Sequence, residues 1–386
     1  MKISMACFGA LMVIASMARS TCCGVVAKSN RGIDAIMLSK NVDVQAVRKA
    51  IKHAWEGYNT HAVGYDDLAP ISLTGQSWLH ARATLFDSLD TLYLAGLREE
   101  FDAAVEEVLQ NLPAVVSTGP LWPAKVFEYH LRVVGGLCGA YALSGNLDLL
   151  DAARDAADQV LRAFVSDGLK LPRPNAHMVS SGQPLRHALA TIIDHLWPLF
   201  DDKQECNSLA GVGSFALEFR FLSRETGDQK YHRAAVDISD AIAAAWSMDK
   251  NKDAATALPP LWLQVGGKQC PRTEKSTVSA ALGSGGDSFY EYLLKLQLLD
   301  PLRTATEREM YDHLVDGLRQ QPFLKYYRRS DGRRIAFIVN NAGRQEHLVC
   351  FVPGLLALGS ISFPKSHGGD LELAEELMEG CIAMYE

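Results

Sequence analysis

Carboxylates set beside arginine or glycine are the residues of this 386-residue sequence that most invite a chemical reading. Glu128 lies in Val126-Phe-Glu-Tyr-His-Leu-Arg132, near the start of an otherwise very apolar helix, and Arg132 follows one turn later on the same face. In such a place desolvation raises the pKa of a carboxyl group while a guanidinium lowers it, which is how a general acid is tuned. The plainer alternative is an ordinary surface pair of helix neighbours. Asp287 closes Leu282-Gly-Ser-Gly-Gly286 and opens Ser288-Phe-Tyr-Glu-Tyr-Leu-Leu-Lys295. Locally it is a good helix N-cap, but the glycines before it also let the backbone come close to a ligand. Asp87 and Asp90 interrupt Thr84-Leu-Phe-Asp-Ser-Leu-Asp-Thr-Leu-Tyr93. They need partners if buried, and they read as structural hydrogen-bond hubs before catalysts. His347, in Gln345-Glu-His-Leu-Val-Cys-Phe351, is open between a ligand contact and a satisfied core histidine.

The elements that must position these residues are helical. Apolar residues recur at spacings of three and four over Val44–Tyr58, Leu79–Leu97, Glu99–Leu112, Phe127–Leu143, Leu147–Phe164, Gly213–Glu225, Tyr231–Trp246, Ser288–Leu299 and Ala305–Gln320. Strand signatures are sparse, and the connections are short and rich in Gly, Asp, Asn and Pro. The pattern predicts an all-α protein of antiparallel helix pairs. Two helices end alike, at Gly145-Asn146 and at Gly227-Asp228. In each the glycine can take the left-handed C-terminal conformation, and the Asn or Asp caps a returning helix. Hairpins that cannot bury their apolar faces alone stack as a solenoid or close into a ring, and a closed ring is one domain. Ser166–Glu205, with Pro172, Pro174, Pro184 and Pro198, reads as a long excursion carrying one helix near Leu185–Leu196. A domain linker is its alternative.

Composition sets the wider bounds. With 48% hydrophobic and 22% charged residues the chain can bury a large core. A net charge of -7 and the lack of any Lys/Arg stripe give no cationic surface for a nucleic acid. Met1-Lys2 and the apolar run Met5–Ala18, followed by Arg19 and Ser20, read as a signal peptide or signal anchor over residues 1–20, with a buried N-terminal helix as the alternative. The run is short of the ~20 apolar residues a spanning helix needs. Either signal reading sends the chain to the secretory pathway, and a membrane is a partner only if the signal stays uncleaved. Residues 21–43 form an N-terminal segment before the helical region. The cysteines, at 7, 22, 23, 138, 206, 270, 350 and 381, show no paired zinc-site spacing, and some should pair in an oxidising compartment.

Several segments resemble glycoside hydrolase family 47, the class I α-1,2-mannosidases of the endoplasmic reticulum (ER) and Golgi. The matching text is His53-Ala-Trp-Glu-Gly-Tyr58, Thr74-Gly75, Thr84-Leu-Phe-Asp-Ser-Leu-Asp-Thr-Leu, Phe127-Glu with Arg132 and Gly135-Gly-Leu, Leu217-Glu-Phe-Arg, Asp287-Ser-Phe-Tyr-Glu-Tyr-Leu-Leu-Lys and His347-Leu-Val-Cys-Phe-Val-Pro-Gly. It spans roughly His53 to Tyr385, with Ser166–Glu205 poorly matched. The resemblance implies an (α/α)7 barrel over residues 44–386, a monomer that trims mannose from high-mannose N-glycans or glycoproteins with inversion, assisted by one calcium ion. It implies Glu128 as the acid, Asp287 as a second active-site carboxylate, Arg132 and His347 as substrate contacts, and Cys350–Cys381 as a disulfide. Inversion needs an acid for the leaving oxygen and a carboxylate that activates water across the ring. The wording is closer to the processing enzymes of the ER or Golgi lumen than to the degradation-enhancing branch.

The sequence departs from the family's pattern in three places. At Gly211 the family usually has a glutamate that lines the sugar site, and at Gly285 often an arginine that contacts more distant mannose residues; losses of this kind loosen substrate positioning. The family's Arg-Pro-Glu catalytic base, further sugar-site glutamates and calcium-binding threonine follow the helix that here ends at Cys381–Glu386, and none of these motifs occurs in this sequence. The expectation is therefore a partial catalytic barrel, an α-mannosidase by family, holding no metal site of its own. The alternatives are a non-catalytic, mannosidase-like glycan-binding protein of ER quality control and a helical scaffold without a sugar function.

Overall fold

The computed structural model describes residues 43–110, 123–164, 171–179, 185, 188–189, 192–193, 206–246, 258–265, 282–300, 304–319, 324–339 and 343–385. The signal reading falls outside them, as does most of the 166–205 excursion, where residues 185, 188–189 and 192–193 are helical. By contact the chain divides into two compact units.

The first unit begins with helix α1 (Val44–His61), capped by Asp43, whose Oδ1 accepts from the N–H groups of Gln45 and Ala46 at 2.9 and 3.1 Å. Strands β1 (Asp67–Ala69) and β2 (Thr74–Gln76) pair antiparallel, with Leu68 opposite Gly75. Where the apolar spacing predicts one helix over 79–97, the chain forms α2 (Ala83–Asp87) and α3 (Leu89–Leu94), hinged at Ser88. The late start has a cause. The N–H groups of Trp78, Leu79, His80, Ala81 and Ala83 all turn to the carboxylate of Asp66, at 2.7 to 3.1 Å, and Arg82 sits in the left-handed region at φ +52°. Backbone committed to that carboxylate cannot also make helix.

Helix α4 (Arg98–Gln110) follows, then β3 (Ala124–Lys125), which pairs with β4 (Asn175–Ala176). The helix expected over 127–143 runs as α5 (Val126–Tyr129), a π-helical segment (His130–Val134) and α6 (Gly135–Ser144). It ends at Gly145, φ +74°, and Asn146 caps the returning α7 (Leu147–Leu161). Gly136 lets α6 approach α2: a Cβ there would lie 2.4 Å from the Phe86 carbonyl oxygen. That contact sets α2, with Asp87 at its end, beside the helix that carries Glu128 and Arg132.

The second unit holds the other predicted hairpin. Helix α8 (Leu209–Gly213) precedes α9 (Ala216–Thr226), which stops at Gly227 (φ +74°), and Asp228 caps α10 (Gln229–Ala245). Strands β5 (Cys206–Ser208) and β6 (Trp262–Gln264) pair antiparallel. Helices α11 (Asp287–Leu299) and α12 (Ala305–Arg319) complete the bundle. Its interior is aromatic, with Phe219 stacked on Tyr231 and Trp246 against Phe289. Within it the side chains of Arg220 and Glu307, 3% and 2% exposed, pair at 2.6 Å, and Ser239 donates to the same carboxylate. A buried charge needs such company.

The end of the chain adds what the periodicity did not announce. Strands β7 (Leu324–Arg328) and β8 (Arg334–Ile338) form a hairpin. A 3₁₀ turn (His347–Phe351) then leads into α13 (Val352–Ser362), α14 (Pro364–His367) and α15 (Asp370–Ala383). Cys350 and Cys381 are joined by a disulfide, Cα atoms 6.0 Å apart, tying the turn to α15. Cys206 is also disulfide-bonded.

Candidate active site

Glu128 stands in the first turn of α5, its side chain 26% exposed. Arg132, in the π-helical segment, donates from Nε to Glu128 Oε2 at 2.9 Å and from Nη1 to Asp87 Oδ2. One guanidinium therefore spans two carboxylates, a charge-assisted arrangement that fixes all three side chains. Single π-helical turns within α-helices recur at functional sites. Burial lowers the pKa of Arg132, but the two carboxylates outweigh it and raise it above the ordinary arginine value. Burial pushes the Asp87 carboxyl up, against the pull of Arg132. Asp90, one turn on and 7% exposed, is pushed up to about 7 by burial.

Above Arg132 lies Trp78, with the guanidinium carbon 5.3 Å from the ring centroid, within cation–π range. The indole Nε1 donates to Asp67 Oδ2 at 2.7 Å. The stretch that carries Trp78 is the one gathered by Asp66. Burial alone would raise the Asp66 pKa, but the backbone N–H bonds outweigh it and hold it below the ordinary aspartate value.

Asp287 belongs to the other unit. It is the first residue of α11, after Gly286, and its Oδ1 accepts from the Ser288 N–H at 2.9 Å. Burial pushes its pKa up to about 6, with the charges of Glu291 and Glu346 adding to the rise. Glu291 is held by Lys295 at 2.8 Å. Glu346 reaches across to accept from the Ser284 N–H at 3.0 Å, and a Cβ at Gly283 would lie 2.1 Å from its Oε2. His347 follows at the start of the 3₁₀ turn. It is exposed, so it is not a core histidine, and its ring meets Tyr385 edge-on at 6.0 Å.

The structure thus brings Glu128 and Arg132 together, adding Asp87, and places Asp287 and the His347 turn in the second unit, bridged there by Glu346. Trp78, Asp67, Glu291 and Glu346 were missed as site residues. Glu291 and Glu346 could have been found by their place within a turn of Asp287 and beside His347. Nothing in the local sequence aims Trp78 at Arg132.

A family model described as Glycosyl hydrolase family 47 matches residues 50–386. The chain belongs to glycosyl hydrolase family 47. An endoplasmic reticulum mannosyl-oligosaccharide 1,2-alpha-mannosidase of Rattus norvegicus is 32% identical over 348 residues, covering 89% of this chain and 47% of that protein. A mannosyl-oligosaccharide 1,2-alpha-mannosidase of Arabidopsis thaliana is 32% identical over 357 residues, covering 89% of this chain and 56% of its own. The chain spans about half the length of the curated relatives it matches. Among solved structures, an alpha-1,2-mannosidase from Trichoderma reesei aligns with a TM-score of 0.65 at 22% identity, covering 86% of this chain and 66% of that one. The fold class is accordingly that of the family 47 (α/α)7 barrel.

Against the family pattern, Gly211 is a filled position. A Cβ there would lie 2.3 Å from Asn207 Oδ1, and the Asn207 amide donates at 3.1 Å to the carbonyls of both Pro172 and Gly211. The space a side chain at 211 would enter is taken by a bonded asparagine. Gly285 has φ +89°, a conformation that a side chain such as arginine adopts only under strain. Members of this family generally depend on calcium, a hard cation that wants six to eight oxygen ligands. Among the described residues no group of three or more His, Cys, Asp or Glu side chains is placed to hold a metal ion, and no catalytic step is routed through one. Among the same residues no helix is long and apolar enough to cross a membrane.

Proposed function

We propose that this chain is an inverting α-1,2-mannosidase that removes mannose from high-mannose N-glycans in the lumen of the ER or Golgi. The observation that carries the reading is the Glu128–Arg132–Asp87 cluster at the start of α5, in a chain of family 47. Glu128 is the general acid and Arg132 holds it. Oε2 is tied to the guanidinium, and among the described residues nothing bonds Oε1, which is left to carry the proton to the leaving glycosidic oxygen. Asp287, with its pKa near 6, is a second carboxylate of the sugar site, and the exposed His347 contacts substrate. Asp287 keeps its proton until the pH rises through 6, so near neutrality it serves as a hydrogen-bond acceptor for sugar hydroxyls.

The test is release of mannose from a high-mannose oligosaccharide, followed by NMR so that the configuration of the freed sugar is read before it mutarotates. The expected product of an α-linkage is β-mannose, and Glu128→Gln abolishes its release. Glycan binding without release would replace the enzyme by a glycan-binding protein. α-Mannose as first product would end the inverting mechanism.

A further inference from the structure

The general acid reading leaves unexplained why a tryptophan lies over the arginine that holds it. Two adjacent aspartates fix Trp78. The fully buried carboxylate of Asp66 takes the N–H groups of Trp78, Leu79 and His80 on one oxygen, each at 2.7 Å, and those of Ala81 and Ala83 on the other. His80 and Arg82 are held there at φ +58° and +52°, conformations that non-glycine residues adopt only when the surroundings impose them. Asp67 then fixes the side chain, accepting the indole N–H on Oδ2 at 2.7 Å and facing the Thr84 hydroxyl with Oδ1 at 3.3 Å. Thr84 also donates to the Asp66 carbonyl oxygen at 2.7 Å, which ties the start of α2, and so Asp87, to the same anchor. Both supports of Arg132, the Trp78 ring and the Asp87 carboxylate, therefore issue from one strained stretch held by Asp66 and Asp67.

We propose that Trp78, locked by Asp67, is a positioning residue for the general acid: its ring backs the Arg132 guanidinium, so that Arg132 holds one Glu128 oxygen and leaves the other free for the leaving group. The proposal rests on Glu128 being the acid. The physical reason is orientation. A guanidinium shared by two carboxylates can swing toward either, and cation–π attraction to a fixed ring 5.3 Å away favours the position in which it meets both. A group that aims an acid matters most when the leaving group needs a proton.

The test compares two substrates in the full-length protein. A mannosyl-α-1,2-mannose oligosaccharide must be protonated as it leaves, whereas α-mannosyl fluoride releases a fluoride that needs far less help. Trp78→Ala and Asp67→Leu are each expected to lower kcat on the oligosaccharide about 10-fold or more, with little change in KM, and to leave kcat on the fluoride within about threefold. Asp67→Asn, whose amide oxygen still accepts the indole N–H, should restore most of the oligosaccharide rate. Circular dichroism melting accompanies each variant; if Trp78→Ala does not fold, Trp78→Phe and the Asp67 pair carry the comparison. Equal losses on both substrates, or an unchanged kcat on the oligosaccharide, would overturn the proposal. A wild-type protein that hydrolyses neither substrate would instead refute the mannosidase reading itself.

Discussion

Glu128 and Asp287 both stand in the first turn of a helix, yet their surroundings are nearly opposite. Glu128 has a guanidinium 2.9 Å away, shared with Asp87. Asp287 is bonded by the Ser288 N–H, its charged neighbours Glu291 and Glu346 are acidic, and its pKa is pushed up to about 6. The same side-chain chemistry is thereby put to two uses. Beside Arg132 a carboxyl group is held in place by the guanidinium, and its orientation is what the protein controls. At the start of α11 the proton itself is what is held, chiefly because burial opposes its loss, with the Glu291 and Glu346 charges adding to it.

The comparison breaks first if Glu128 can be removed without consequence. Glu128→Gln keeps the shape and the contact to Arg132 but cannot deliver a proton, and it should lower kcat by about 10²- to 10⁴-fold. Measured release of mannose within tenfold of the wild type would rule Glu128 out as the acid. A smaller loss, on the order of 10-fold, is expected for Asp87→Asn, which leaves Arg132 one charged partner in place of two. If Asp87 were only a structural hub, as its sequence context suggests, the same variant would lower the melting temperature while kcat stayed unchanged.

The sequence was informative where local rules and the final structure agree. The hairpins through Gly145-Asn146 and Gly227-Asp228 could be read directly, because a left-handed glycine and the cap that follows it are local devices. So could the pairing of Glu128 with Arg132, one turn apart on a helix. The break of the 79–97 helix was not legible, since the competitor for its backbone, Asp66, lies upstream of the apolar run, and the spacing of apolar residues carries no sign of a carboxylate that takes backbone N–H groups. Helix α13 escaped for another reason. Val352-Pro-Gly-Leu-Leu-Ala-Leu-Gly-Ser-Ile-Ser362 is apolar on every side, so it has no three-and-four rhythm, and only the proline in its first turn marks a helix start. Trp78 is the instructive miss. Its role comes from a contact to a helix more than fifty residues downstream, and residue type alone does not encode a partner at that distance.

The Asp287 side of the comparison can be sharpened through stability. The folded-state pKa is near 6 against an ordinary value of 3.8, so folded protein holds this proton more tightly than unfolded chain. Between about pH 4 and pH 6 the stability contributed by this residue therefore falls as pH rises, and its cost is fully present above pH 6. Asp287→Asn removes the charge. It should stabilise the protein at pH 7 by about 1–2 kcal/mol and change nothing near pH 3, as read by urea denaturation at the two pH values. A gain of the same size at both would mean that the effect is not titration of Asp287.

The smallest effect separates burial from neighbouring charge as the cause. Glu346→Gln keeps an oxygen for the Ser284 N–H but removes one of the two negative charges that raise the Asp287 pKa. Burial is the larger cause, so the stabilisation at pH 7 should have the same sign as that of Asp287→Asn and be only a fraction of it. It should also vanish in the Asp287→Asn background, because without a titrating carboxylate at 287 the Glu346 charge has nothing to oppose there. If Glu346→Gln stabilises equally in both backgrounds, its charge acts elsewhere. The contrast between the two helix starts would then reduce to the presence of Arg132 at one and burial at the other.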